Sequence, residues 1–266
     1  HLIPCVLDDE GYSAIPTYVA DSLRECTAFF AENERTARRY FKKLWKDMVI
    51  DDHRWYTIHK AEGEVMDAFR KELREGHTVG IVSEAGLPGI ADPGQLLVAA
   101  AQEMGATVKP LSGPSSLLLA LMASGLNGQA FAFRGYLPVD ARQREKAIRD
   151  LESISSKEGS AQLFIETPYR NDQMLEALLK TCRPTTRICV ASELTSPRET
   201  VVTRTAAEWK KHVPELHKKA VLFILQARPE TVQSRQQGAL LRSWHLAPHG
   251  QQPILSGRAI GASVSS

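Results

Sequence analysis

Ser83-Glu84-Ala85-Gly86-Leu87-Pro88-Gly89-Ile90-Ala91-Asp92-Pro93-Gly94 packs three glycines and two prolines into twelve residues. The residues just before it, 78–82 (Thr-Val-Gly-Ile-Val), are apolar and β-branched and predict a short buried strand. Residues 95–104 are rich in Ala and Leu without a breaker and predict a helix. Asp92 is the expected N-cap, Pro93 suits the first turn, and Gly105 suits the position past the end. The unit is therefore strand, glycine-rich loop, helix. Such a loop lies at the carboxyl end of its strand, where open α/β sheets take ligands. Glycine permits positive φ and lets a ligand lie against the backbone. A bare βα turn accounts for any one of these glycines; the length and glycine density of the loop favour a ligand.

The same construction repeats at once. Residues 106–111 predict the next strand, Ser112-Gly113-Pro114-Ser115-Ser116 a second small-residue loop, and 117–124 a helix closed by Gly125. Two such loops on successive strand ends can floor one crevice. Neither has the Gly-x-Gly-x-x-Gly or Gly-x-x-x-x-Gly-Lys-[Ser/Thr] spacing of the better-known phosphate sites.

The remaining composition narrows the function classes. The 266 residues carry a net charge of +2, so any polyanion must be held by a local patch. No apolar run approaches the ~20 residues of a membrane span, and no leader-peptide pattern is visible. Cys5, Cys26, Cys182 and Cys189 lack Cys-x-x-Cys spacing and read as free buried thiols in a reducing, cytoplasmic setting. The eight histidines show no ligand spacing, and no metal is expected.

In order, residues 2–7 predict a strand, 8–16 a polar turn, 17–26 a helix and 27–31 a strand. Arg35, Arg38, Arg39, Lys42 and Lys43 then follow helical spacing and form one basic stripe. The stripe reads either as a solvated helix face or as a set of phosphate contacts. A strand around 55–58 ends in His59 and Lys60, which are either structural or part of a substrate cleft. Residues 64–75 predict an amphipathic helix with Val65, Met66, Phe69 and Leu73 inward. Beyond Gly125 the pattern changes. Strands at 129–134, 161–166, 187–191, 201–204 and 220–226, a turn at 135–138, and helices at 141–155, 173–182 and 206–212 predict a mixed sheet. The fold expected is α/β in two domains, 1–112 with a mostly parallel sheet and flanking helices, and 113–228 with a mixed sheet. Residues 229–266, rich in Gln, Gly, Ser and Pro, read as a disordered tail.

The two loops resemble those of the tetrapyrrole-methylase superfamily of S-adenosylmethionine (SAM) methyltransferases, in particular its branch acting on small-subunit ribosomal RNA. That branch has Ser-Asp-Ala-Gly-x-Pro-x-x-Ser-Asp-Pro-Gly and then Pro-Gly-Pro-Ser; here Glu84, Ala91 and Ser112 depart from it. Glu32, Glu34, Arg35 and Thr36 approximate its Glu-Asp-x-Arg-x-Thr. Glu166-Thr167-Pro168-Tyr169-Arg170 is similar to Glu-Ser-x-x-Arg, and Ser192-Glu193-Leu194-Thr195 to Arg-Glu-Leu-Thr. The first loop, glycine-rich in the superfamily, has no glycine here until Gly11.

The resemblance implies SAM in the trough between the two domains. Leu7, Ser83, Ala85, Gly86, Leu87, Ile90, Ser115, Ser116, Glu166 and Leu194 are the implied cofactor residues. Glu34, Arg35, Arg38, His59, Lys60, Tyr169 and Arg170 are the implied substrate side. The expected partner is ribosomal RNA or the small ribosomal subunit, with no membrane and a homodimer as the assembly. SAM already carries an activated methyl, so no nucleophile triad or metal is required. A general base helps a neutral hydroxyl, and Glu84 is the candidate, its alternative being a solvent-facing carboxylate. Three readings follow: an RNA ribose methyltransferase, a small-molecule methyltransferase acting on a tetrapyrrole-like carbanion, and a non-catalytic SAM- or RNA-binding module.

Overall fold

A computed structural model describes residues 1–58 and 62–228. The expected tail at 229–266, together with His59 and Lys60, lies outside the described residues. Strands β1 (Leu2–Ile3), β2 (Ala28–Ala31), β3 (Arg54–Thr57) and β4 (Val79–Val82) form an all-parallel sheet in the order β1-β4-β2-β3. Every residue of β2 and β4 is buried, the pattern of strands covered on both faces. The pleat sends neighbours to opposite sides. Phe29 packs with α1 (Tyr18–Arg24) and α2 (Glu34–Leu44) through Val19, Leu23 and Phe41. Phe30 packs with α3 (Met66–Arg74) and α4 (Gln95–Glu103) through Phe69, Leu97 and Ala100.

Strands β5 (Phe131–Tyr136), β6 (Ala161–Ile165), β7 (Arg187–Ser192), β8 (Thr200–Thr205) and β9 (Val221–Gln226) form the second sheet, ordered β5-β6-β9-β7-β8. Only β5–β6 is parallel; the other pairs are antiparallel, as a mixed sheet requires. One face packs on α6 (Ala141–Glu158) and α7 (Asn171–Thr181), the other on α5 (Ser116–Ser124).

Four expectations are corrected. Residues 106–111 do not form a strand: Pro110 makes one isolated bridge with Leu2, because β1 is only two residues long and proline has no N–H to continue a ladder. The first strand likewise stops at Ile3 rather than Leu7, since Pro4 interrupts it. The N-cap of α4 is Gly94, at φ +123°, not Asp92, and Pro93 stays outside the helix. Gly135 and Tyr136 belong to β5: Gly135, at φ +66°, takes up a register shift instead of starting a turn. Smaller shifts occur at helix ends. The third helix begins at Met66 after a 3-10 turn, α6 continues to Glu158 until Gly159 closes it, and α8 (Ala206–Trp209) stops short of His212.

One buried charge cluster anchors the first sheet. Glu72, 3% exposed, accepts hydrogen bonds from Arg54 Nε and Nη2, each at 2.7 Å, and from the Tyr56 hydroxyl at 2.7 Å; His77 Nδ1 lies 2.8 Å away. The Arg54 guanidinium, ahead of Tyr56 and His77, holds the Glu72 carboxyl down to about 2. A depressed folded value means that the stabilisation is present above the ordinary value of 4.5 and is lost as pH falls toward 2. Glu72→Ala should cost about 3 kcal/mol, the low end for breaking a buried pair because Arg54 is half exposed. Denaturant titration across acid pH checks this, and the variant's deficit should shrink below pH 4.5.

Candidate functional site

The carboxyl ends of β1 and β4 face a cleft of about 350 Å3. One wall comes from Leu7 and Asp8, from the glycine-rich loop, and from Ser115–Leu117 at the start of α5. The other comes from the ends of β5, β6 and β7 and the start of β9. The loops are locked by backbone bonds. Cys5 N–H donates to Gly86 O at 2.7 Å and Gly86 N–H to Cys5 O at 3.2 Å. Gly89 N–H donates to Pro93 O at 3.0 Å, and Ser83 Oγ to Ala85 O at 3.0 Å. Gly113 lets the second loop close on the first strand's end: an added Cβ would lie 2.1 Å from Pro4 Cβ.

Nine sequence candidates line this one cleft: Leu7, Ala85, Gly86, Leu87, Ile90, Ser115, Ser116, Glu166 and Leu194. Ser83 is buried beneath the loop instead. The sequence reading missed Asp8, Asp92, Phe133, Tyr136 and Glu193, which line it as well. Asp92 belongs to the glycine loop, Tyr136 ends β5 and Glu193 directly follows β7, and that position was the available signal; Asp8, well past the end of β1, and Phe133, inside β5, carry no such local mark. The lining includes Asp8, Asp92, Glu166 and Glu193 and, among the described residues, no Lys, Arg or His.

Two of these carboxylates are unusual. Burial pushes Asp92 up to about 6, with the charges of Glu32 and Glu84 adding to it. Glu166, whose side chain is 1% exposed, accepts at Oε1 from Thr167 N–H (2.7 Å) and from Arg170 Nε (3.0 Å) and Nη2 (2.7 Å). Its Oε2 is buried without a hydrogen-bond partner among the described residues. A buried unpaired acceptor at a cleft wall calls for a ligand donor or water.

The substrate-side candidates scatter. Arg170 is held by Glu166, and Tyr169 is exposed beside the His217 ring. The basic stripe is largely committed. Arg38 pairs with Glu34 and lies 5.0 Å over the Trp55 ring. Lys42 Nζ donates to Lys46 O and Met48 O, each at 2.8 Å. Arg35 and Arg39 are exposed and have no ion pair among the described residues. Glu84 is exposed and lines not the cleft but a hollow next to it.

This two-sheet arrangement is similar to that of the methyltransferase CobJ, with a TM-score of 0.55 over 81% of this chain and 89% of that one at 18% identity, a likeness of fold. Residues 15–210 match the tetrapyrrole (corrin/porphyrin) methylases, and the chain belongs to that family. It is 32% identical over 176 residues to ribosomal RNA small subunit methyltransferase I of Halalkalibacterium halodurans, covering 65% of this chain and 55% of that one. For the Vibrio cholerae enzyme of the same name the figures are 34% over 162 residues, 61% and 52%. For that of Pseudomonas aeruginosa they are 29% over 232 residues, 87% and 74%. The chain spans about half the length of the first two relatives.

Proposed function

We propose that the cleft binds S-adenosylmethionine and that the protein transfers its methyl group to a ribose 2′-hydroxyl of small-subunit ribosomal RNA. The observation that carries this reading is the charge of the lining: four carboxylates and, among the described residues, no cation. Arg170 behind Glu166 and Arg198 beside Asp8 and Glu193 offset part of that charge, and Asp92 contributes most directly. That lining suits a ligand bearing a sulfonium and an ammonium group and disfavours a dinucleotide or a nucleoside triphosphate. Family membership and the names of the relatives support the same choice.

The residues present fit the cofactor. Leu7, Ala85, Gly86, Leu87 and Ile90 would hold its methionine part, with Ser83 shaping their loop. Ser115 and Ser116 would face it from the second loop, and Glu166 and Leu194 would hold the adenosine. The unpaired Glu166 Oε2 offers an acceptor to a hydroxyl or amino group. When bound, the cofactor supplies a methyl already activated on sulfur. The chain then has to orient the acceptor and take a proton from it, the second task falling to Glu84 on this reading. We further propose the domain boundary near residue 112, between the two sheets. A homodimer is proposed as the assembly, supported by Leu118 (49% exposed) and Met122 (79%), one turn apart on α5. No helix among the described residues is long and apolar enough to cross a membrane. Transfer of labelled methyl from SAM to small ribosomal subunits lacking the modification, with the nucleotide mapped, tests the reading; transfer to a tetrapyrrole instead would overturn it.

Asp92 supplies a pH signature. Its folded value, about 6, lies above the ordinary 3.8, so the ionised carboxylate costs stability above about pH 6, a cost that vanishes as pH falls toward 3.8. Asp92→Asn should therefore raise Tm at neutral pH and lose that advantage below pH 3.8. The ionised form should favour a cationic ligand, so SAM affinity in the parent should fall as pH drops through about 6, and the variant should be flat. Calorimetry at several pH values checks both.

A further inference from the structure

A second hollow, of about 230 Å3, adjoins the cleft and shares Leu7, Asp8 and Ala85 with it. Its other walls include Tyr12, Thr36, Arg39, Tyr40, Lys43 and Glu84. Tyr40 is a fixed wall: 3% exposed, its hydroxyl donates to Pro4 O at 2.7 Å. Tyr12 stands 6.0 Å from it, ring centre to ring centre, and is half-buried. Lys43 Nζ lies 4.5 Å from the Tyr12 ring, and neither it nor Arg39 is paired with a carboxylate among the described residues. Of the acids present, Asp8 is already engaged by Glu10 N–H at 3.0 Å and by Arg198 at 3.6 Å. Asp9 is exposed at the rim. The backbone of Glu84 is held by Glu32, whose Oε2 accepts its N–H at 2.9 Å, while its carboxylate has no donor among the described residues.

An aromatic face, two unpaired cations and a free carboxylate around a hollow of this size are the chemistry that holds one unstacked nucleotide. Single-stranded RNA is read by bases splayed onto aromatic rings, with phosphates held by Lys and Arg. We propose that this hollow is the acceptor subsite. It takes one extruded nucleotide, with its base on the Tyr12 ring in place of the Lys43 ammonium now seated over it, Lys43 moving with Arg39 onto an adjoining phosphate, and its ribose toward the ridge at Ala85 that the hollow shares with the cleft. The proposal rests on the reading of the cleft as the methyl-donor site. It also narrows the basic stripe: Arg39 and Lys43 face the acceptor, whereas Arg38 and Lys42 serve the fold.

The test measures binding of an unstructured RNA oligonucleotide and, separately, of S-adenosylhomocysteine to the full chain. Arg39→Gln/Lys43→Gln should weaken RNA binding at least ~10-fold and flatten its salt slope by about 1.4, the value for two phosphate contacts on a single strand. Tyr12→Ala should weaken it without changing the slope, and Tyr12→Phe should restore it. Arg35→Gln, outside the hollow, should have a smaller effect, and S-adenosylhomocysteine affinity should stay constant throughout. Because Arg39 and Lys43 are exposed, the double variant remains informative if Tyr12→Ala fails to fold. Parent-like RNA binding by the double variant overturns the subsite, as does a parent that binds no RNA. A parent that binds RNA through these residues but no S-adenosylhomocysteine keeps the hollow as an RNA site and removes the donor reading instead.

Discussion

Gly86→Val is expected to lower SAM affinity roughly 100-fold or more, about 2.7 kcal/mol. Gly86 sits at φ +68°, where a β-branched residue is strained. It cannot relax easily, because both its N–H and its C=O are tied to Cys5. An added Cβ would lie 3.4 Å from Leu7 Cδ2 and 3.8 Å from Pro114 O, where the first loop, the glycine loop and the second loop meet. Valine therefore both strains the loop and takes up space at the cleft wall. Gly86→Ala separates the two effects, since it keeps the backbone cost and adds one carbon. Calorimetry with a folded Gly86→Val protein that binds SAM like the parent would remove the cofactor from this loop.

Glu166→Gln is expected to cost about 10- to 100-fold in the same affinity, the range for losing a hydrogen bond to a charged group. The substitution retains an oxygen for Thr167 N–H and Arg170, so the turn after β6 should survive. What changes is Oε2, the unpaired buried acceptor, which becomes an N–H donor. A ligand hydroxyl or amino group would then face a donor. Neutralising one partner of the buried Glu166–Arg170 pair should also lower the melting temperature, so affinity is measured on protein shown to be folded at the assay temperature. Parent-like affinity would mean that Oε2 meets water rather than the cofactor.

The parts legible in the sequence were those set by local chemistry. The short apolar strand at Phe29 and Phe30, the glycine-dense turn after β4 and the Gly125 stop of α5 each follow from a few adjacent residues. The error at 106–111 has a local cause too: apolar residues suggested a strand, but a two-residue β1 and Pro110 leave no ladder to extend. The misplaced N-cap arose because Asp92 satisfies every local capping preference, while the loop's own bond from Gly89 to Pro93 keeps the chain out of the helix until Gly94. Asp8, Tyr136 and Glu193 were missed because each enters the cleft only when the two sheets meet, a relation between distant segments. The basic stripe had the right spacing for one helix face. Spacing alone could not reveal that Trp55 and the loop carbonyls at Lys46 and Met48 already occupy Arg38 and Lys42.

The most direct measurement is a titration of isotope-labelled protein with SAM, followed through its backbone amides. The expected result is saturable one-to-one binding, with the largest shifts at Leu7, Gly86, Ser115, Glu166 and Leu194, residues that come from both sheets' loops and share one cleft. Absence of saturable binding, or shifts centred away from that cleft, would contradict the assignment.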